Sequence, residues 1–69
     1  MFTVGIGRNI KRYREIAGLS REKLAQKCGN KFSANHLWRV EDGLVKNPGI
    51  EMIKAIAGAL GLTVDDLLK

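Results

Sequence analysis

Hydrophobic residues recur along the chain at spacings of three and four, which is the period of an α-helix with one buried face. The first four positions of this kind are Ile6, Ile10, Tyr13 and Ala17. Gly18 follows them, and glycine commonly ends a helix because it adopts the left-handed backbone conformation that closes the last turn. The pattern therefore predicts a first helix over about residues 6–17.

A serine precedes each of the next two amphipathic segments. The hydroxyl groups of Ser20 and Ser33 can each accept a hydrogen bond from a backbone N–H in the first turn of a helix. Gly29 and Gly43 follow the two segments. We predict a second helix of about two turns after Ser20 and a third helix over about residues 33–42. The expected buried positions are Leu24, Ala25 and Cys28 in the second helix and Leu37, Val40 and Glu41 in the third.

Two further helices are predicted near the end of the chain. The sequence Asn-Pro-Gly at 47–49 is typical of a turn, because proline disfavours helical angles in the residue before it. The fourth helix follows this turn and ends at Gly61. Thr63 and Asp66 have the spacing of a reciprocal helix cap, which predicts a short fifth helix at 64–68. The inward positions of the fourth helix are Ile50, Ile53, Ile56, Ala57 and Leu60.

The order of these segments predicts a compact all-α fold in a single domain at 1–69. Five short helices with short links, and no alternating apolar and polar stretch, leave no segment for a sheet. Two closely spaced helices, a glycine-containing link and a capped third helix are the layout of a helix-turn-helix. No apolar run suits a membrane span or a signal peptide, so we expect a cytoplasmic location.

The net charge of +5 is unevenly distributed. Residues 1–39 contain nine Lys or Arg and two Glu, whereas residues 40–69 contain three Lys and five Asp or Glu. A strongly basic half attracts polyanions such as the phosphate backbone of nucleic acid. An ordinary lysine-rich solvated surface is the alternative that charge alone leaves open.

Patterns that would indicate catalysis or metal binding are weak. Ser33 and His36 lie one helical turn apart, but Ser33 is needed as a cap. Asp65 and Asp66 fall in the first turn of the predicted fifth helix, where carboxylates suit the helix dipole. Cys28 completes neither a disulfide nor a zinc site and is either a small core residue or a reactive thiol. We expect no enzyme, no cofactor and no metal.

The most specific sequence signals lie in three segments, IGRNIKRYREIAGLSREKLAQKCG, LWRVEDG and NPGIEMIKAIAGALGLTVDDLL. In this order they resemble the Cro and phage-repressor (XRE) helix-turn-helix family, over about residues 6–68. The loop at 44–48 is similar to that of SinR-type regulators. The resemblance implies a five-helix fold like that of lambda repressor, whose third helix enters the major groove of double-stranded DNA. It also implies a sequence-specific transcriptional regulator that acts as a repressor.

The turn before the third helix is longer than the family pattern. Asn30, Lys31 and Phe32 separate Gly29 from Ser33, where family members usually have a single apolar residue. Phe32 can supply that apolar residue. Because the turn is longer, the sequence does not determine the angle between the second and third helices.

Helical geometry and the resemblance together select the residues that would face DNA. With Leu37 and Val40 turned inward, a step of about 100° per residue defines the outer face of the third helix. Arg39 can donate two hydrogen bonds to guanine, with a phosphate contact or a surface ion pair as its alternatives, and Asn35 can pair with adenine. The expected base contacts are Ala34, Asn35, Trp38 and Arg39.

Trp38 is unusual on such a face, because an exposed tryptophan leaves a large apolar area in water. Three environments would cover it: the rim of its own core, DNA, or a protein partner. Family positions of this kind are commonly polar.

Phosphate contacts require only a positive charge or an N–H donor within reach. Arg21 is the leading candidate, since the resemblance places it where the family commonly carries a phosphate-binding glutamine. Ser33 is foremost a cap, although its hydroxyl could also reach a phosphate. The full set of expected phosphate contacts is Arg21, Lys31, Ser33, Asp42, Lys46 and Asn47.

The resemblance also implies an ion pair between Arg14, near the end of the first helix, and Glu41, at the end of the third. A partly buried pair of this kind fixes orientation more than it adds stability. We therefore expect that loss of the Glu41 charge weakens DNA binding by loosening the third helix.

A protein-interaction module, antitoxin-like or a co-regulator, is the alternative function, with weak or no DNA binding. A second apolar stripe on the fourth helix is either a homodimer interface or a few small exposed residues. A homodimer would place two recognition helices on a palindromic operator, with half-sites about 34 Å apart. We expect no small-molecule effector and no membrane partner. The stripe consists of Met52, Ala55, Ile56 and Ala59.

Overall fold

The computed structural model describes residues 3–45 and 48–68, and within these ranges all regular structure is α-helical. The helices are α1 at Thr3–Ile16, α2 at Arg21–Lys27, α3 at Ala34–Glu41, α4 at Ile50–Leu60 and α5 at Val64–Leu68. The predicted all-α fold is confirmed. The largest difference in bounds is the start of α1, which begins three residues earlier than predicted because no capping residue marked that end in the sequence.

The predicted helix starts have the expected capping hydrogen bonds. The hydroxyl oxygens of Ser20 and Ser33 each accept a hydrogen bond at 3.1 Å from the backbone N–H three residues further on. Before α5, the Asp66 N–H donates to Thr63 Oγ1 at 3.1 Å and the Thr63 N–H donates to Asp66 Oδ2 at 3.0 Å. These local bonds satisfy N–H groups that have no partner within the helix.

Helices α1 to α4 all end with the same pair of backbone hydrogen bonds. At the end of α1, the Gly18 N–H donates to the Glu15 carbonyl at 3.0 Å and the Leu19 N–H donates to the Arg14 carbonyl at 3.1 Å. This arrangement needs a left-handed residue, which glycine supplies without steric cost. The chain therefore turns sharply after each helix. The four glycines are Gly18, Gly29, Gly43 and Gly61.

Side chains from all five helices form the core of the described structure. The buried hydrophobic residues are Ile6, Ile10, Leu24, Ala25, Cys28, Leu37, Val40, Met52, Ile53, Ile56, Ala57 and Leu67. Two predicted inward positions are wrong. Ala17 is exposed because it lies just beyond the last residue of α1, and Ile50 is 56% exposed at the first residue of α4.

The predicted second stripe on α4 is not a free face. Met52 and Ile56 are buried beside Ile53 and Ala57, so the inward face of α4 is wider than one row of side chains. Ala55 and Ala59 are half-buried and pack against the same core. The assignment of Met52 and Ile56 to a dimer interface is therefore corrected, because packing against the other helices already covers them.

Gly7 lets α1 approach the end of α3 at backbone distance. A Cβ atom at this position would collide with the Val40 carbonyl oxygen and would lie 3.0 Å from the Val40 carbonyl carbon and 3.2 Å from Glu41 Cα. Backbone atoms in a helix cannot move aside as the end of a flexible side chain can. The absence of a side chain at Gly7 therefore sets how closely α3 lies against α1.

We predict that Gly7→Ala destabilises the protein, although alanine is the better helix former. Overpacking of a tight contact costs about 1 to 3 kcal/mol, which exceeds the gain in helix propensity of about 1 kcal/mol. Thermal unfolding followed by circular dichroism should show a midpoint several degrees lower.

Gly58→Ala in α4 is the matched control, since a Cβ atom there would meet nothing within 4 Å. This substitution should raise the unfolding midpoint. A midpoint of Gly7→Ala at or above that of the wild type would contradict the close approach of α1 and α3.

Candidate nucleic-acid interface

The first residue of the longer turn between α2 and α3, Asn30, takes part in the hydrogen bonds that end α2. Gly29 and Asn30 both have left-handed backbone angles, with φ of 77° and 58°. The Asn30 N–H donates to the Ala25 carbonyl at 3.0 Å, so this residue belongs to the closing motif of the helix. Asparagine tolerates the left-handed region better than most residues. Phe32 is half-buried and packs on the core, which confirms it as the apolar residue of the turn.

The outer face of α3 carries side chains that the core does not use. Asn35, Trp38 and Arg39 are exposed, as is Asp42 just after the helix, whereas Ala34 is half-buried. Leu37 and Val40 are buried on the opposite face, as predicted. The helix therefore presents a continuous polar and aromatic surface to solvent.

Trp38 lies beside a shallow cleft between the start of α2 and the start of α3. Trp38 is 40% exposed. The rest of the indole is covered by the protein itself, so Trp38 lies at the edge of the folded structure with part of its ring open to solvent. We name this feature the α2–α3 cleft. Its lining residues are Arg14, Ser20, Arg21, Glu22, Ala34, Asn35 and Trp38.

The expected phosphate contacts Arg21, Lys31 and Ser33 lie along two neighbouring depressions, both of which Glu22 and Ala34 border. Arg21 lines the α2–α3 cleft, whereas Lys31 and Ser33 lie on another depression, beside the turn. Ser33 caps α3 as expected, through its hydrogen bond from the His36 N–H. Lys46 and Asn47 lie outside the described residues.

Asp42 cannot serve as a phosphate contact in this arrangement. Its backbone N–H donates to the Trp38 carbonyl at 2.9 Å, so that donor is already used. The remaining polar group is a carboxylate, which accepts hydrogen bonds and repels an anion. The expectation for Asp42 is therefore corrected.

The predicted pair of Arg14 and Glu41 is present and is bidentate. Arg14 Nε donates to Glu41 Oε2 at 2.7 Å, and Arg14 Nη2 donates to Glu41 Oε1 at 3.1 Å. Arg14 Nη1 also donates to the Leu19 carbonyl at 2.7 Å. The arginine thus binds the link that follows its own helix and the end of α3 with one planar group.

A second arginine, which the sequence did not predict here, also binds this carboxylate. Arg21 Nε donates to Glu41 Oε1 at 3.0 Å. The Glu41 side chain is 1% exposed, whereas that of Arg21 is 34% exposed. A carboxylate at the C-terminal end of a helix is disfavoured by the helix dipole. Two features of the sequence could have indicated a second basic partner for Glu41. One is this unfavourable position of its carboxylate, and the other is the position of Arg21, one residue after the predicted cap Ser20.

Cys28 is buried in the core, which favours the interpretation of a small packing residue. Burial raises the pKa of the Cys28 thiol, while the positive charge of Lys31 acts in the opposite direction. A raised pKa reduces the fraction of the reactive thiolate at neutral pH.

Among the described residues, no group of three or more His, Cys, Asp or Glu is placed to hold a metal ion. No helix within 3–45 or 48–68 is both long and apolar enough to cross a membrane.

Comparison with known families agrees with this arrangement of α2, the turn and α3. The family model described as "Helix-turn-helix domain" matches residues 6–68. The chain belongs to this helix-turn-helix family. The resemblance drawn from the sequence is thus confirmed, over the predicted range.

Curated relatives of this helix-turn-helix chain include two regulators from Bacillus. The chain is 35% identical over 63 residues to "HTH-type transcriptional regulator SinR" of Bacillus subtilis (strain 168). The matched residues are 91% of this chain and 55% of the relative. The protein of the same name from Bacillus licheniformis gives the same values. The chain therefore spans about half the length of these curated relatives. No solved structure matches it at a significant level.

We predict that Glu41→Gln strongly destabilises this helix-turn-helix domain. Removing one partner of a buried ion pair costs about 3 to 5 kcal/mol, because the remaining charge stays away from water. Urea unfolding should give a clearly lower midpoint than for the wild type. Glu15→Gln is the matched control, since Glu15 is exposed on α1 and its change should alter stability by no more than about 0.5 kcal/mol. Equal midpoints for both variants would contradict the role of the Glu41 carboxylate.

Proposed function

We propose that this protein is a sequence-specific regulator of transcription that binds double-stranded DNA and acts as a repressor. The observation that carries the proposal is the exposed outer face of α3, whose ends are fixed by the Ser33 cap and by the buried Glu41 carboxylate. The similar regulators of Bacillus are named as transcriptional regulators. A helix that is rigid at both ends and exposed between them fits the major groove.

Asn35 and Arg39 are the proposed readers of bases. They are four residues apart, so they lie on the same face of α3, and both are exposed. Arginine suits the two acceptor atoms of guanine, and asparagine suits the donor and acceptor of adenine. Ala34 and Trp38 border them on the side of the α2–α3 cleft and are proposed to meet apolar groups of the DNA.

Basic residues near the ends of α2 are proposed to hold the phosphate backbone. Arg21 is the first residue of α2 and Lys31 lies in the turn after it, so the two lie near opposite ends of the helix. Lys46 and Asn47 are proposed to bind phosphate on the basis of the family resemblance alone. The positive half of the chain would strengthen these contacts at low salt.

We further propose that the protein binds a palindromic operator as a homodimer in the cytoplasm. A two-fold axis would place two copies of α3 on half-sites about one turn of DNA apart. Since Met52 and Ile56 are buried, that dimer would have to form through another surface.

Selection of bound sequences from a random duplex pool tests this function directly, because it returns the operator and its symmetry together. We predict that Arg39→Ala then loses about 1 to 3 kcal/mol of affinity for the selected operator while its binding to nonspecific duplex changes little. Fluorescence anisotropy with both duplexes measures the two affinities. Lys54→Ala, on the exposed side of α4, is the control and should change neither.

Two results would count against the proposal. No enrichment from the pool, together with no duplex binding by the wild type at about 50 mM salt, would point to the protein-interaction module instead. An equal loss of both affinities in Arg39→Ala would assign Arg39 to phosphate rather than to a base.

Trp38 provides a spectroscopic test, because it is the single tryptophan of the chain. We predict that its emission changes saturably as the selected operator is added and that the complex protects it from acrylamide quenching. The physical reason is that the DNA would cover the 40% of its surface that is exposed in the free protein. Unchanged quenching at saturating operator would show that Trp38 lies off the DNA, which leaves the rim of its own core and a protein partner as its alternatives.

A further inference from the structure

We infer that Glu41 is a positioning residue for Arg21, holding one edge of its guanidinium group so that the other edge is ready to bind a DNA phosphate. This inference rests on the proposed function and deepens it. It assigns to one buried carboxylate both the orientation of α3 and the orientation of the leading phosphate contact.

The Glu41 carboxylate is a fixed point in the structure. Both of its oxygens accept hydrogen bonds from the buried Arg14 side chain, and its own side chain is 1% exposed. Arg14 is held in turn by the Leu19 carbonyl. A side chain that binds the Glu41 carboxylate is therefore bound to a group whose position is fixed by other hydrogen bonds.

Arg21 uses only part of its hydrogen-bonding capacity on this carboxylate. Its Nε donates to Glu41 Oε1 at 3.0 Å, and Nε is the one nitrogen of its side chain with a hydrogen bond to the described residues. The guanidinium group carries four further N–H bonds on its two Nη atoms. Since Arg21 lines the α2–α3 cleft beside Asn35 and Trp38, these donors are available at the surface where α3 would meet DNA.

The charges of the cluster favour the same assignment. Two guanidinium groups share the Glu41 carboxylate, so these three groups together carry a net charge of +1, while the exposed Glu22 carboxylate borders the same cleft. The Arg14 side chain is 9% exposed and that of Arg21 is 34% exposed. The net positive charge of the three groups is therefore most accessible at Arg21, where solvent or an anion can reach it.

Anchoring at Nε also lowers the entropic cost of phosphate binding. A free arginine side chain loses considerable rotamer freedom when it binds a phosphate, and a side chain that is already ordered loses less. Lysine cannot reproduce this arrangement, because its charge and its donors are all on one terminal nitrogen. A lysine at position 21 would have to satisfy Glu41 and the phosphate with one small group.

The test compares Arg21→Lys and Arg21→Ala with the wild type for binding to a nonspecific duplex across a range of salt concentrations. If Glu41 positions Arg21, Arg21→Lys loses about tenfold in affinity while keeping the salt dependence of the wild type. Arg21→Ala loses affinity too, and its salt slope falls by about one. Arg12→Lys is the matched control, since it makes the same chemical change on the exposed side of α1 and should leave binding unchanged.

A second measurement observes the anchor itself and does not depend on a substitution at Glu41. In a proton–nitrogen NMR spectrum, the Nε–H signal of Arg21, assigned by its loss in Arg21→Lys, should be protected from exchange with water in the free protein. It should remain protected when the duplex is bound, because the phosphate uses the other edge of the group.

The outcomes separate this inference from the function on which it rests. If the wild type does not bind duplex at low salt, the proposed function and the inference both fail. If the wild type binds and Arg21→Lys binds equally well, only the inference fails. Loss of Nε–H protection on duplex binding would also overturn it, since Arg21 would then leave Glu41 to reach the phosphate.

Discussion

The structure depends most on one buried carboxylate, that of Glu41 at the last residue of α3. It accepts hydrogen bonds from Arg14 near the end of α1 and from Arg21 at the start of α2, so three helices meet at a single group. Such a group is unfavourable by itself, because it is removed from water and lies at the negative end of a helix dipole. The two arginines offset that cost, and the position of α3 is fixed as a result.

A steric constraint acts on the same end of α3. Gly7 of α1 lies against the backbone of Val40 and Glu41, where a larger residue has no room. The polar contact sets the direction of α3 and the close approach sets its distance from α1. Since the core and these two contacts use the inner face, the outer side chains Asn35 and Arg39 have no structural task in the described molecule.

The sequence was a good guide wherever structure is decided within a few residues. The serine caps, the Thr63 and Asp66 reciprocal cap and the glycines after the first four helices depend on neighbours along the chain, and they were predictable. Errors arose where packing between helices decides. The exposure of Ile50 and the burial of Met52 depend on how α4 lies against its neighbours, which hydrophobic spacing alone does not specify. The second partner of Glu41 likewise became visible only once α2 and α3 were placed side by side.

The independence of the outer face of α3 from the core has a consequence for how such a protein can change. Because Asn35 and Arg39 are exposed and are not members of the core, they can be replaced with little loss of folding stability. New combinations of side chains at these positions could therefore arise by single substitutions without a stage in which the protein unfolds. The same scaffold can thus present different outer faces on its third helix, whereas substitution of Glu41, Arg14 or Gly7 would disturb the packing of that helix.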